Sequence, residues 1–204
     1  MTLDLLVRIA VLCLAIAAFG SMAWGTIRFF RTDKQPSSLG LRLITSAGIL
    51  FLILHLVCLF RAPLAPGIPV ATGAALYALC TALFWWAVQA NRRHPLSAIF
   101  STDAPEHLTD CGPYRFIRHP FYTSYLCAWL AGVFATQQWY LIGTTLVMLL
   151  VYIWAARQEE QKFMHSPLAS SYVYYRRNAG LFWPKHAFGR GTTAAVTESQ
   201  STRS

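Results

Sequence analysis

The chain has 204 residues, of which 55% are hydrophobic and 12% charged, with a net charge of +9. That balance excludes an ordinary soluble domain, where charged residues are about a quarter of the chain. The basic excess lies between apolar runs instead of along one polar face, so it marks membrane orientation and attraction to anionic lipid, with no nucleic acid as partner.

Five runs are almost free of charge: Ile9–Ile27, Leu43–Phe60, Ile68–Ala90, Phe121–Ala135 and Leu141–Ala156. A bilayer core of about 30 Å needs roughly 20 helical residues. The first three runs have that length. Asp4 and the Arg28/Arg31/Lys34 flank make the first a retained helix instead of a cleaved signal. The second contains His55, the only ionisable residue deep in a run, which reads as a helix–helix hydrogen bond.

The last two runs are separated only by residues 136–140 and form a tight antiparallel hairpin. The expectation is an all-α polytopic membrane protein with about five transmembrane helices. Alternating them leaves only Arg8 and Arg61 of the 17 Lys and Arg on one side. By the positive-inside rule the N-terminus lies outside and the C-terminus in the cytoplasm, in a bacterial inner membrane or a eukaryotic endoplasmic reticulum.

Three regions follow: a three-helix transmembrane part over 1–90, a chemically richer part over 91–185, and a disordered Thr/Ser/Ala/Gly-rich tail over 186–204. Residues 91–111, with Pro95, Asp103, Pro105 and Glu106, read as a cytoplasmic loop with at most short helical pieces. His94-Pro95 and His119-Pro120 repeat without flanking similarity and carry no duplication. Beyond Ala156 the last helix continues outward until Ser166-Pro167 breaks it. A second stretch, Leu168–Arg177, places Leu168, Tyr172 and Tyr175 on one stripe, as in an interfacial helix with tyrosines at headgroup depth.

The five cysteines show no C-x-x-C spacing and the six histidines no short-spaced pairs, so neither disulfide nor metal site is predicted. Polar chemistry collects elsewhere. Tyr114, Arg118, His119 and Tyr122 stand at the start of the fourth run, and Glu159 and Glu160 at the end of the fifth. The hairpin returns both ends to one face. From composition alone the group reads equally well as topogenic arginines, an interfacial tyrosine belt and a solvated glutamate pair.

Order and spacing add more. Gly112–Tyr122, Gly-Pro-Tyr-Arg-Phe-Ile-Arg-His-Pro-Phe-Tyr, resembles the G-x-Y-x-x-x-R-H-P-x-Y signature of the isoprenylcysteine carboxyl methyltransferase and phospholipid methyltransferase superfamily. Glu159-Glu160 followed by Phe163, Tyr172, Tyr175 and Pro184 is similar to that superfamily's downstream pattern. The resemblance covers about residues 90–185 and implies a membrane-embedded methyltransferase using S-adenosyl-L-methionine on a lipophilic small-molecule or lipid substrate. It implies that Leu108, Thr109, Tyr114, His119, Pro120, Phe121, Tyr122 and Glu159 hold the cofactor. Arg118 would hold an anionic substrate group, and Glu160 or His119 would take a proton from an amine or thiol.

The acceptor stays open between a prenylcysteine-like carboxylate, a phospholipid headgroup amine and a small thiol. Ala155 stands where the prenylcysteine branch carries a substrate-associated Arg, Glu106 replaces a His of that branch, and Ser124 replaces a frequent Gly. A non-enzymatic membrane scaffold is the competing class.

Overall fold

The computed structural model describes residues 3–29, 39–92 and 107–185, with side chains for all but 26–29 and 39–44. Among the described residues it is all-helical: α1 (Leu3–Phe29), α2 (Leu39–Arg61), α3 (Ile68–Ala90), α4 (Pro120–Thr136), α5 (Leu141–Met164) and α6 (Ala169–Asn178), with a 3-10 turn at Gly112–Arg115 before α4. The expectations for Arg31 and Lys34, for His94, Pro95, Asp103, Pro105 and Glu106, and for the 186–204 tail lie outside the described residues.

The first five helices alternate in direction, as side-chain contacts at the two ends show. At one end Arg8 donates to the Phe60 carbonyl, and Cys58 Sγ meets Tyr140 OH at 3.1 Å. At the other, Trp85 Nε1 donates to Ser21 Oγ at 3.0 Å, tying the late turns of α1 and α3. Among the described residues, three helices are long and apolar enough to cross a membrane: Leu3–Gly25, Ile68–Ala90 and Leu141–Met164. The described apolar part of α2, Thr45–Arg61, is shorter, as is α4.

α4 is the central helix, buried on nearly every side, which is why it is apolar nearly all round. It lies close against α3 where small residues meet: a Cβ on Gly73 would stand 2.7 Å from Ala135 Cβ and 2.8 Å from the Ala131 carbonyl. Close backbone approach through small residues is how helices pack where no hydrophobic effect drives them together. Around this centre Leu50, Ile53, Leu146, Leu150, Leu79 and Ile16 are exposed, an outward apolar surface that suits lipid.

The hairpin between α4 and α5 turns at Gln137, which takes the left-handed conformation (φ 56) and returns its N–H to the Val133 carbonyl at 2.8 Å. Gln138 N–H donates to Thr136 Oγ1 at 3.3 Å. His55 makes the expected interhelical bond, with Nε2 and Thr144 Oγ1 at 2.9 Å joining α2 to α5.

One expectation is corrected. Tyr172 and Tyr175 of α6 do not lie at a headgroup surface; both are buried, packed with Ala179 against Leu108 and Phe163. Helical periodicity identifies a stripe, but a protein loop competes with lipid to cover it, and here the loop at Leu108 does so. Val173 and Tyr174 are the exposed large hydrophobic residues of that helix.

Candidate active site

The site is assembled by three segments that sequence separation hides. Residues 116–119 pair with the chain after α6: Arg118 N–H donates to the Gly180 carbonyl at 2.8 Å, His119 N–H to Leu181 at 3.2 Å, and Gly180 N–H to Phe116 at 3.0 Å. A single parallel bridge, Ile117 to Gly180, results. Gly180 is required there, because a Cβ would overlap the Trp183 carbonyl. Thr123 Oγ1 closes the seam by donating to the Phe182 carbonyl at 2.9 Å. Arg118 and His119 are thus fixed by backbone on both sides before their side chains are considered.

Pro120 opens α4 at its first turn, where a missing N–H costs nothing, and is fully buried. His119 immediately precedes it and points at the end of α5. Its Nδ1 lies 3.2 Å from Glu159 Oε2 and its Nε2 3.5 Å from Glu160 Oε1. Arg118 Nη1 is 2.9 Å from Glu160 Oε1, with the two side chains 10% and 9% exposed. Arg176 of α6 reaches the other oxygen of Glu160 at 3.7 Å from a 55% exposed position. Tyr122 donates to Glu159 Oε1 at 2.6 Å.

Burial alone would lower the imidazole pKa of His119, but hydrogen bonds to Glu159 and Glu160 and their charges outweigh it, and the value is raised above 6.5. The imidazolium is the form that two carboxylates favour.

An aromatic wall continues inward from this charge cluster. His119 stacks on Tyr122 (centroids 5.6 Å apart), and Tyr122 on Tyr152 of α5 (5.2 Å, 13° between planes). Phe182 meets both His119 and Tyr122 edge-on at 6.3 Å. Phe121 turns the other way and packs edge-on against Phe84 of α3 at 5.3 Å.

The remaining predicted residues form an adjoining support. Tyr114 is buried; its hydroxyl accepts from Asn91 Nδ2 at 2.8 Å, and its carbonyl accepts from Tyr175 OH at 2.8 Å. Thr109 Oγ1 donates to Asn91 Oδ1 at 3.3 Å, and Leu108 packs on Tyr172 and Tyr175. The preceding turn depends on Gly112, whose φ of +57 and close approach to Ala90 and the Trp86 indole favour glycine.

Arg118, His119, Tyr122, Glu159 and Glu160 therefore meet in one cluster, whereas Leu108, Thr109 and Tyr114 gather around Asn91 and α6 beside it. Sequence reasoning did not single out Arg176, Asn91, Tyr152 or Phe182. Arg176 directly follows the Y-x-x-Y pair, the one signal that pointed toward it. Asn91 had no motif.

The cluster sets two carboxylates, which accept from ammonium and hydroxyl groups, beside an arginine, an imidazole and stacked tyrosines. Several buried polar atoms, Arg118 Nε and Nη1, His119 Nε2 and Glu160 Oε1, have no well-aligned hydrogen-bond partner among the described residues, although charges of opposite sign lie close.

No curated protein matches the chain. A family model described as phospholipid methyltransferase matches residues 68–170, just over half of the chain, including α3, the Gly112–Tyr122 segment, the hairpin and both glutamates. The chain belongs to the phospholipid methyltransferase family, part of the superfamily of membrane methyltransferases that includes the isoprenylcysteine carboxyl methyltransferases.

Proposed function

We propose that this protein is an S-adenosyl-L-methionine-dependent methyltransferase of a five-span membrane bundle, acting on the amine of a lipid headgroup. The observation that carries this reading is His119 held between Glu159 and Glu160 beside an aromatic wall. In the orientation set by the positive-inside rule, the cluster faces the cytoplasm, where a soluble cofactor is available.

The residues fit that cofactor. Glu159 is the more exposed glutamate, at 25%, and suits an ammonium or ribose hydroxyl, and the Tyr122–Tyr152 stack lines the site beside it. Leu108, Thr109 and Tyr114 border the same face and suit an adenine through apolar and backbone contacts. Bound there, the cofactor supplies an electrophilic methyl group.

What the chain's own residues contribute is placement and proton handling. A headgroup amine is an ammonium at neutral pH and cannot attack until it loses a proton. Glu159 and Glu160 accept that N–H in hydrogen bonds, and, with His119 already protonated between them, a carboxylate of the pair is the base that takes the proton. The seam at Gly180 fixes the backbone of Arg118 and His119, so the acceptor meets a preset geometry.

The carboxylate acceptor is less well supported. The charge of Arg118 is already committed to Glu160 at 2.9 Å. Ala155, where the prenylcysteine branch has an arginine, is buried among Tyr122, Leu126, Ala156 and Phe182. One observation favours this second reading: Arg176 is exposed enough to leave Glu160 and meet an anion. In the amine reading that same arginine meets the headgroup phosphate.

Titration calorimetry of the detergent-solubilised protein with the cofactor tests the site. Binding weakened about tenfold or more in His119→Ala and Glu159→Ala supports it, and unaltered binding in both removes it.

A further inference from the structure

Asn91 caps the end of α3, belongs to no motif and is 3% exposed. Its Nδ2 lies 2.8 Å from the Ala87 carbonyl and 2.8 Å from Tyr114 OH, and its Oδ1 lies 3.3 Å from Thr109 Oγ1. A carbonyl only accepts, so the atom facing Ala87 has to be the amide nitrogen, which settles the orientation of the side chain. One amide hydrogen goes to Ala87 and the other to Tyr114. Since that nitrogen has no lone pair to offer, the Tyr114 hydroxyl is the acceptor of the pair.

The Tyr114 proton is therefore left over. No acceptor for it is found among the described residues, and the Tyr114 carbonyl is already taken by Tyr175 OH at 2.8 Å. Burial raises the phenol above its ordinary value of 10, the Asn91 hydrogen bond offsets only part of that rise, and the charge of Glu159 adds to it. Tyr114 accordingly keeps its proton throughout the neutral range, within electrostatic reach of the glutamate cluster.

We propose that Asn91 is a positioning residue for the cofactor half of the site: it clamps Thr109 and Tyr114 to the end of α3 and, by donating to Tyr114, turns that hydroxyl into a donor for an acceptor atom of the bound cofactor. The inference rests on the methyltransferase reading above. Asn91 itself touches neither cofactor nor acceptor and acts through Tyr114. An amide is needed for this, because a carboxyl group at the same place would accept from Tyr114 and consume the proton.

The test is NMR of the full-length protein in detergent, labelled with ¹³C at the tyrosine ζ-carbon, whose resonance moves downfield when the phenol donates. The Tyr114 signal is the one lost in Tyr114→Phe. Adding S-adenosyl-L-methionine should move it downfield. In Asn91→Asp it should stand downfield before any cofactor is added, and calorimetry should show cofactor binding weakened about tenfold. A role confined to stability would move neither signal. A wild-type resonance unmoved by bound cofactor overturns the inference, as does an unshifted resonance in ligand-free Asn91→Asp. Wild-type protein that binds no cofactor overturns the methyltransferase reading and the donor role with it, whereas binding with an unmoved resonance overturns the donor role alone.

Discussion

Tyr122 and Glu159 stand 37 positions apart in the chain, yet the tyrosine hydroxyl donates to the glutamate at 2.6 Å. The bond spans the mouth of the α4–α5 hairpin, and it orients the more exposed carboxylate of the pair toward the aromatic wall. Tyr122 also stacks between His119 and Tyr152, so one ring serves the charge cluster and the apolar lining at once.

Replacing Tyr122 by Phe keeps both stacks and removes one charge-assisted hydrogen bond. Such a bond is worth about 1.5–3 kcal/mol. Cofactor affinity in Tyr122→Phe is expected to fall about tenfold in calorimetry, with little change in the far-UV spectrum. A drop far beyond that would mean the ring itself is displaced.

The Arg118–Glu160 pair is nearly buried, and breaking one member strands the other. Glu160→Gln should destabilise the protein by about 3 kcal/mol. Arg118→Met combined with Glu160→Gln should cost clearly less than the two single changes added. Thermal unfolding of the four proteins in one detergent measures this coupling, and additive losses would show that the pair is not a unit.

A raised pKa at His119 links stability to pH in a definite sense. The imidazolium's contribution is complete below about 6.5, the ordinary histidine value, and is lost as pH rises through the higher folded-state value. The melting temperature of the cofactor-free protein should therefore fall as pH rises above about 6.5. In His119→Gln that particular loss should vanish. An alkaline decline of equal size in the variant would assign it to another group.

At the opposite end of the bundle, Gly73 lies against Ala131 and Ala135. Gly73→Val inserts a branched side chain where even one carbon is too close, and should cost about 1–3 kcal/mol by overpacking. Differential scanning calorimetry reads the loss. Unchanged stability would mean that α3 and α4 separate freely.

Much of this arrangement is legible in the chain because it is local or forced by short connections. Residues 136–140 leave α4 and α5 no choice but to run antiparallel, so the approach of His119 to Glu159 follows from the hairpin. The polar group at its mouth is visible as residue types. Three things are not legible. The seam between Phe116 and Gly180 pairs backbone groups across more than sixty positions and leaves no side-chain pattern. The inward turn of Tyr172 and Tyr175 depends on which surface covers an amphipathic stripe, which periodicity does not specify. Asn91 gains its role from Thr109 and Tyr114, beyond its own helix, as well as from Ala87 one turn before it, and alone it is only a polar residue after an apolar helix.

The central claim is methyl transfer to a lipid amine by the cluster around His119. Membranes containing the protein, incubated with methyl-labelled S-adenosyl-L-methionine and then extracted, test it most directly. The account predicts base-stable label in the phospholipid fraction, lost in His119→Ala and Glu159→Gln. Base-labile label would contradict the amine acceptor, and no label in any fraction from a folded protein that binds no cofactor would contradict the site itself.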